Sequence, residues 1–313
     1  MLQVNRLRLL CELHHRRTLA AVAQALSYSP SAVSQQLRQL EIEVGAKLIE
    51  PAGRGVRLTE QALILVSHGE QILRLLEQAK SEVEASLHEV RGAVRVAAFQ
   101  TAALTLIPVA MSDIHERLPL VTIEFTQGEP DTTLPGLVSA EFDLVVVESY
   151  PGYPGPAAVG IVQDKLMDDP LWLVMSTTMA DRLDPEVKPI GQLADVGWAL
   201  EPAASVPSLW VTEQCQKSGF EPRVVCRSED ILVHRRLAET GQAVAVLPGL
   251  ALSDPTPALT SFPIEAGLAH REIFVATRAA TRNSPAINAV REALTRAAHM
   301  FAGRDWTEKS TPD

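Results

Sequence analysis

Apolar and polar residues alternate with a helical period in the first part of the chain. Leu7, Leu10 and Cys11 fall on one stripe, and this spacing predicts a helix over 5–15. The next run of small and apolar residues predicts a second short helix, which ends near residue 26 and has Thr18 at its N-cap. The chain therefore begins with two short helices separated by a sharp turn.

A third helix, predicted over 31–44, has one apolar and one polar face. Ser29 is its N-cap, Pro30 takes its first position, where a missing N–H removes no hydrogen bond, and Gly45 ends it. The apolar face carries Val33, Leu37 and Leu40. The opposite face carries side chains that hydrogen-bond to base edges and phosphates: Ser31, Ser34, Gln35 and Arg38. This pair of short helices favours a DNA-binding helix-turn-helix.

Residues 50–59 predict a tight basic hairpin directly after these helices. Glycines stand at its tip, and Arg54 and Arg57 project from it. A basic hairpin beside a recognition helix is a wing, which contacts phosphates or the minor groove. We therefore predict that residues 1–59 form a winged helix-turn-helix DNA-binding domain. The candidate DNA contacts are Thr18, Ser29, Ser31, Ser34, Gln35, Arg38, Arg54 and Arg57.

Residues 60–90 contain no proline and one glycine. Apolar or small side chains recur at alternating spacings of four and three residues: Leu65, Gly69, Ile72, Leu76, Ala79, Val83, Ser86 and Val90. This heptad-like pattern predicts a linker helix that pairs with the same helix of a second copy. Packing of the helix against its own chain is the alternative.

From residue 91 onward, predicted strands alternate with predicted helices, among them helices over about 101–118 and 130–142. This alternation implies a parallel sheet with helices on its faces. We predict two lobes joined by two crossings: lobe one formed by about 91–163 and 266–303, and lobe two by about 164–265. Asp168-Asp169 is predicted as a solvated turn before a strand, and residues 304–313 as a polar tail.

Polar side chains follow several of the predicted strands. Open parallel sheets bind ligands at the carboxyl ends of their strands, so we predict a small-molecule site between the lobes. Its candidate contacts are Gln100, Thr101, Thr126, Gln127, Glu148, Ser205, Ser228 and Glu229, although each of these is also a residue type found in caps and turns. Glu148 and Glu229 favour a cationic or hydroxyl-bearing ligand, whereas Thr101 at a helix start favours an anion. The sequence leaves the charge of the ligand open.

The formal net charge of the 313-residue chain is −10, which opposes nucleic-acid binding, but the charge is unevenly placed. Residues 1–60 hold eight Arg or Lys and five Asp or Glu, so this segment is near +3 and the remainder near −13. A weakly basic head on an acidic body directs phosphate attraction to one end of the molecule.

Cysteine spacing and hydropathy argue against several classes of protein. Cys11, Cys215 and Cys226 give neither an even disulfide framework nor a metal-binding spacing. We expect three reduced thiols, with a redox-sensing pair of Cys215 and Cys226 as the alternative, and no metal or cofactor. No apolar stretch is long enough to span a membrane, and the N-terminus lacks the apolar core of a secretory signal, so we expect a cytoplasmic protein.

Residues 2–66 resemble the N-terminal domain of LysR-type transcriptional regulators. The match lies in the Ala-rich second helix and in residues 29–41, Ser-Pro-Ser-Ala-Val-Ser-Gln-Gln-Leu-Arg-Gln-Leu-Glu. The chain departs from the family at Pro51, where Arg is usual, and at Ala62, where Gly is usual. The first departure removes one phosphate contact that the resemblance implies.

Residues 92–301 resemble the effector domain of the same family, which is itself similar to periplasmic solute-binding proteins. Residues 237–248 match the family's Gly-x-Gly-hydrophobic-Leu-Pro element, except that Gln242-Ala243 replaces the second glycine. The resemblance implies a homodimer, or a homotetramer built as a dimer of dimers, that binds operator DNA and responds to a small-molecule effector.

Three other functions stay open at this point. A solute-binding protein shares the two-lobed body, but it needs an export signal and has no use for residues 1–59. An enzyme is opposed by the lack of a nucleophile elbow, a phosphate-binding loop or a metal-spaced histidine pair, since His14-His15 are adjacent, and we predict no catalytic residue. A winged helix that binds protein instead of DNA is the third, and the salt dependence of binding distinguishes it.

Overall fold

The computed structural model describes residues 2–52, 55–86, 89–155, 157–264 and 269–302. Along the chain these form a helical head with a small hairpin, one long linker helix, and a body of two α/β lobes. This order confirms the predicted fold class. Within the described residues, no helix has both the length and the apolar character that crossing a membrane requires.

Three helices build the head, as predicted: α1 (Val4–Arg16), α2 (Leu19–Ala25) and α3 (Pro30–Val44). The Thr18 hydroxyl accepts a hydrogen bond from the Ala21 amide, and the Ser29 hydroxyl accepts one from the Ala32 amide, each at 3.2 Å. Gly45 ends α3 with φ +72°, a left-handed conformation that glycine adopts without strain. The buried core of the head includes Leu10, Val22, Val33, Leu37 and Leu40.

The predicted wing is present as strands β1 (Ile49–Ala52) and β2 (Gly55–Leu58). They pair antiparallel, with Glu50 opposite Arg57. The predicted contact Arg54 lies outside the described residues.

The linker helix α4 (Glu60–Ala85) ends five residues before the predicted boundary. Its first half packs on the head, because a Cβ on Gly69 would lie 3.0 Å from the Cys11 sulfur and Leu65 contacts the head core. Gly69 and Leu65 therefore face their own chain and not a second copy, contrary to the predicted seam. In the second half, Leu75 is 65% and Val83 64% exposed.

Lobe one is a sheet covered by helices. Strands β3 (Gly92–Ala98), β4 (Val121–Gln127) and β5 (Leu144–Ser149) are parallel, with β3 between the other two. A last strand, β11 (His270–Arg278), returns from lobe two and pairs antiparallel with β5, so the sheet is mixed and not wholly parallel. The helices of this lobe are α5 (Gln100–Leu104), α6 (Leu106–Arg117), α7 (Pro130–Val138) and α11 (Pro285–Phe301).

Strand β6 (Ile161–Ser176) is the main correction to the sequence analysis. Its first part pairs with β11 of lobe one and its second part pairs with strands of lobe two, so one continuous strand forms a crossing near Pro170. The predicted solvated turn at Asp168-Asp169 is wrong, since both residues lie within this strand and Asp169 is fully buried. Charged residues are seldom buried without a partner, so two adjacent aspartates predict an exposed turn. The sequence did not identify the buried partner of Asp169.

Lobe two consists of the second part of β6 and the elements that follow it. These are α8 (Thr177–Ala180), β7 (Gly197–Leu200), α9 (Val206–Lys217), β8 (Arg223–Arg227), α10 (Ile231–Glu239), β9 (Ala245–Pro248) and β10 (Leu259–Pro263). Strands β9 and β10 pair antiparallel with β6, while β7 and β8 form a parallel pair. Strand β10 was not predicted.

Two predicted helices in lobe one were too long. The helix expected over 101–118 is split at Thr105 into α5 and α6, and the Thr105 hydroxyl donates to the Thr101 carbonyl at 2.6 Å. The helix expected over 130–142 ends at Val138, where α7 gives way to the turn before β5. The predicted polar tail at 304–313 lies outside the described residues.

Polar contacts connect the head and the linker helix to lobe one. Arg16 on α1 forms a 2.8 Å ion pair with Glu141, which follows α7. On the linker helix, Glu77 pairs with the buried Arg278 at 3.1 Å, and Arg278 also pairs with Asp143 at 3.2 Å. These contacts give the body a direct mechanical connection to the head.

Candidate functional site

The outer face of α3 is free of the protein interior. Val33, Leu37 and Leu40 are buried below it. Ser31, Gln35 and Arg38 are exposed and Ser34 is half-buried, so four hydrogen-bonding side chains lie within two turns of one helix. An α-helix with such a face fits the major groove of B-DNA.

The other predicted DNA contacts differ in what their side chains already bind. The Arg57 side chain is 74% exposed and pairs with Glu50 at 3.1 Å, a surface ion pair that is easily exchanged for a phosphate. Thr18 and Ser29 use their hydroxyls as helix caps, and the Ser29 oxygen also lies 3.0 Å from that of Ser31. These two residues order the starts of α2 and α3.

The body contains a cleft between its lobes. A small inner chamber of about 40 Å³ opens into a wider outer region of about 720 Å³. Six of the eight predicted effector contacts line it: Gln100, Thr101, Gln127, Glu148, Ser205 and Glu229. The structure does not bring the other two to these walls: Thr126 is exposed on β4, and the Ser228 hydroxyl accepts the Asp230 amide at 3.0 Å before α10.

Arg271, which the sequence analysis missed, is the centre of the inner chamber. Its side chain is 4% exposed and contacts Asp169 at 2.7 Å and Glu148 at 2.5 Å. It also donates to the Thr101 hydroxyl at 2.5 Å and lies 4.9 Å from the centre of the Phe99 ring. Burial alone would lower the pKa of Arg271, but the two carboxylates raise it, so the guanidinium stays charged. The only sequence signal was a cation close to the apolar run 273–276.

Gln100 connects the two lobes across the cleft. From the start of α5, its amide nitrogen donates to the Asp230 carboxylate at 2.7 Å, and its amide oxygen accepts the Ile231 backbone N–H at 2.8 Å. Both partners lie at the start of α10 in lobe two. This predicted ligand contact therefore also holds the lobes together.

Two further acids, Glu129 and Glu201, line the cleft and were not among the eight predicted contacts. Partial loss of solvent between the lobes, together with the charge of Glu148, raises the pKa of Glu129 to about 7, while part of Glu129 stays exposed. The same two causes raise the pKa of Glu201 to about 7, against a lowering effect of its hydrogen bond with Ser205. A cavity-lining carboxyl group with so high a pKa lacks a full counter-charge.

Few other side chains change this picture. Burial lowers the pKa of His234, which lines the inner chamber and contacts the Ser228 carbonyl at 3.0 Å, so its ring is neutral at pH 7. All three cysteines are free thiols, and burial raises the pKa of Cys215 to about 12, which opposes thiolate chemistry there. Among the described residues, no three His, Cys, Asp or Glu side chains converge as a metal site.

Comparison with known proteins assigns both the N-terminal head and the two-lobed body of the chain to one family. Residues 4–63 match the model described as "Bacterial regulatory helix-turn-helix protein, lysR family", and residues 87–299 match "LysR substrate binding domain". The transcriptional dual regulator GltC of Bacillus subtilis is 23% identical over 273 residues, which cover 84% of this chain and 87% of GltC.

Two solved structures share the fold of the whole chain. A single-substitution variant of full-length OxyR from Pseudomonas aeruginosa superposes with a TM-score of 0.67 at 19% identity, covering 94% of this chain and 95% of OxyR. Full-length CbnR in complex with its target DNA superposes with a TM-score of 0.54 at 20% identity, covering 95% of this chain and all of CbnR.

Proposed function

This chain belongs to the LysR family of bacterial transcriptional regulators, and from that premise we propose which of its residues bind DNA and which bind the effector. As a member, it is a sequence-specific DNA-binding regulator whose operator binding responds to a small molecule. Its partners are operator DNA, an effector and further copies of itself. Membership of the family does not identify the side chains that bind DNA or the effector.

For the DNA interface, α3 lies in the major groove with Ser31, Ser34, Gln35 and Arg38 toward the bases or the flanking phosphates. This proposal rests on one observation: the polar face of α3 is exposed, while its opposite, apolar face is buried. Arg38 reaches a guanine edge or a phosphate, and Arg57 contacts the flanking backbone from the wing. Thr18 and Ser29 contribute mainly by fixing the starts of α2 and α3.

Self-association through α4 supplies the second recognition helix. The exposed apolar side chains Leu75, Leu76 and Val83 lie on the half of α4 that leaves the head. A second copy of α4 packed there buries these side chains and places two heads on one DNA duplex, at half-sites one or more helical turns apart.

The effector binds in the cleft between the lobes, against Gln100, Glu148, Ser205 and Glu229. Because Gln100 already joins the lobes, a ligand in this cleft changes how tightly they close. The ion pairs Arg16–Glu141 and Glu77–Arg278 pass such a movement to the head and the linker. The ligand shifts operator affinity to the extent that it binds one lobe arrangement more tightly.

We also propose that the chain is no enzyme and works in the cytoplasm. The relative GltC is named a regulator, and the cleft acids are spread over both lobes without a nucleophile beside a base. Cytoplasmic location follows from the target, since bacterial operator DNA lies there.

The test is a comparison of Arg38→Ala with Arg182→Ala, an exposed arginine of lobe two that serves as the matched control. Operator fragments are recovered by genome-wide mapping of bound DNA, and affinity is measured by fluorescence anisotropy. We expect Arg38→Ala to weaken binding about tenfold to a hundredfold, the effect of losing a good base or phosphate contact, and Arg182→Ala to change it less than about twofold.

The salt concentration is varied in the same experiment. Binding of the native protein should weaken steeply with salt because phosphate contacts release counterions. Equal affinity of native protein and Arg38→Ala would contradict the role given to α3, and salt-independent binding would favour a protein partner for the head.

A further inference from the structure

Both lobes contribute acids to the gap between them. Lobe one contributes Glu129, which follows β4, and Glu148 near the end of β5. Lobe two contributes Glu201, which follows β7, and Glu229, which follows β8. Four carboxyl groups from four different strands thus meet in one cavity, at the strand ends where this type of sheet binds ligands.

Basic groups do not balance these acids. Among the described residues, Arg271 is the one arginine or lysine that lines either region of the cleft. Its guanidinium is held by Asp169 and Glu148. Two carboxylates around one guanidinium already exceed its charge, so Arg271 leaves no free cation for an anionic ligand. Among the described residues Glu129, Glu201 and Glu229 form no ion pair, and Arg227 donates to the Glu201 backbone carbonyl at 2.9 Å and not to its carboxylate.

Helix capping does not explain these acids either. Glu129 stands at the N-cap position of α7, yet its side chain makes no capping hydrogen bond. At α10 and α9 the capping is done by neighbouring residues, Asp230 and Ser205. The starts of α9 and α10 are therefore already capped and offer little attraction to an anion, whereas the starts of α5 and α7 have no side-chain cap.

The cavity has the size and walls of a small-molecule site. The outer region of the cleft, at about 720 Å³, falls within the usual range for ligand pockets, and Tyr150, Tyr153 and Val206 provide apolar surface beside the carboxyl groups. A metal ion is a less suitable occupant of the cleft than an organic molecule, because among the described residues no three His, Cys, Asp or Glu side chains converge on one point. Separated carboxylates and an apolar wall fit an extended organic cation.

Resting on the proposed effector role of this cleft, we propose that the effector is an organic cation carrying a primary ammonium or guanidinium group. The cation bridges Glu129 and Glu148 of lobe one to Glu201 and Glu229 of lobe two. By neutralising acids that repel one another across the gap, it favours lobe closure and so biases the arrangement of the heads.

The pKa values of the cleft support this proposal. With no cation bound, the pKa values of Glu129 and Glu201 are raised to about 7, and a bound ammonium or guanidinium group would lower both. Binding therefore releases protons, and affinity for the cation increases as pH rises from about 6 to 8.

The test is isothermal titration calorimetry of the full-length protein at pH 8 with three probes. Cadaverine and agmatine carry the proposed groups, and glutarate is an anion with the same five-carbon chain as cadaverine. We expect at least one cation to bind with Kd below about 1 mM and at least tenfold more tightly than glutarate. Magnesium chloride is the control for unspecific attraction to negative charge.

Three variants locate the binding. Glu201→Gln and Glu229→Gln should each weaken the cation by about tenfold, since each removes one charge-assisted hydrogen bond. Glu186→Gln, at an exposed acid of lobe two outside the cleft, should leave it unchanged. Glu229 is exposed, so its variant stays informative if Glu201→Gln does not fold.

The proposal is overturned if glutarate binds more tightly than both cations, if neither cation binds, or if magnesium chloride displaces a bound cation as effectively as the other cation does. It is also overturned if both cleft variants bind the cation as tightly as the native protein does. The proposed effector role is tested separately by titrating an operator complex with cell metabolite fractions. If an anionic fraction changes operator affinity and cations do not, the cation proposal fails while the effector role stands. If no fraction acts, the effector role itself fails.

Discussion

The outer face of α3 and the cleft between the lobes are both polar, but they are built in opposite ways. On α3, Ser31, Gln35 and Arg38 come from one helix and point outward. In the cleft, Arg271 contacts Asp169, which is 102 positions away in the chain, and Thr101, which is 170 positions away. The head offers unused donors to a partner outside the protein, whereas the cleft uses most of its charge internally and keeps an excess of acid.

This difference predicts that the two regions respond differently to loss of one arginine. Removal of an arginine from α3 weakens an external contact and leaves stability unchanged. Removal of an arginine from the cleft leaves buried carboxylates without a counter-charge, which is a folding defect before it is a binding defect.

The largest expected effect is that of Arg271→Ala. Breaking a buried ion pair from one side costs about 3–5 kcal/mol, because Glu148 and Asp169 lose their guanidinium. We expect the Tm of the body to fall by about 6 °C or more in calorimetry. The head has its own core, so its helices should keep their hydrogen-exchange protection.

Arg223→Ala is the control for this variant, since Arg223 is exposed on β8. It should shift the Tm by less than about 2 °C, as surface substitutions do. An Arg271→Ala protein as stable as Arg223→Ala would show that the cleft charges are solvated and not mutually dependent.

A smaller effect is expected from Glu201→Gln, and its sign depends on pH. The pKa of Glu201 is raised to about 7 in the folded protein from an ordinary value of 4.5, so the folded state binds more protons between these values. Stability contributed by this group is therefore lost as pH rises from about 4.5 to 7. Glutamine does not ionise, so the variant should have the higher Tm at pH 8, by about 2 °C, and an equal Tm near pH 4.5.

The matched variant Glu186→Gln should show the same pH profile as the native protein, because that acid lies outside the cleft. A Glu201→Gln protein that is less stable than the native one at pH 8 would mean that Glu201 has a counter-charge in the folded state. That result would also remove one support of the cation proposal.

Local signals in the sequence were enough for the head. The caps Thr18 and Ser29, the proline at position 30 and the period of Val33, Leu37 and Leu40 all act within one helix, so spacing alone locates the helices and their faces. The features of the head and linker that spacing did not predict depend on contacts between residues distant in the chain. Gly69 turns toward α1 because Cys11 needs the space, which a heptad pattern does not reveal.

The sequence predicted the position of the cleft but not all of the charged residues that line it. Polar residues at strand ends indicated where Gln100, Glu148 and Glu229 would meet, since strand direction fixes that edge. Arg271 and Asp169 were missed because each lies within a strand, and a charged strand residue gains its meaning from a partner on another strand. Glu129 and Glu201 also follow strands, but sequence alone did not separate these cleft acids from ordinary loop acids.

The measurement that tests the account most directly is protection of guanine N7 from dimethyl sulfate in the operator complex. With α3 in the major groove, the native protein should protect guanines in two half-sites one or more helical turns apart, and Arg38→Ala should lose protection at one position in each. A complex that forms on the operator yet leaves every guanine N7 reactive would contradict the placement of α3.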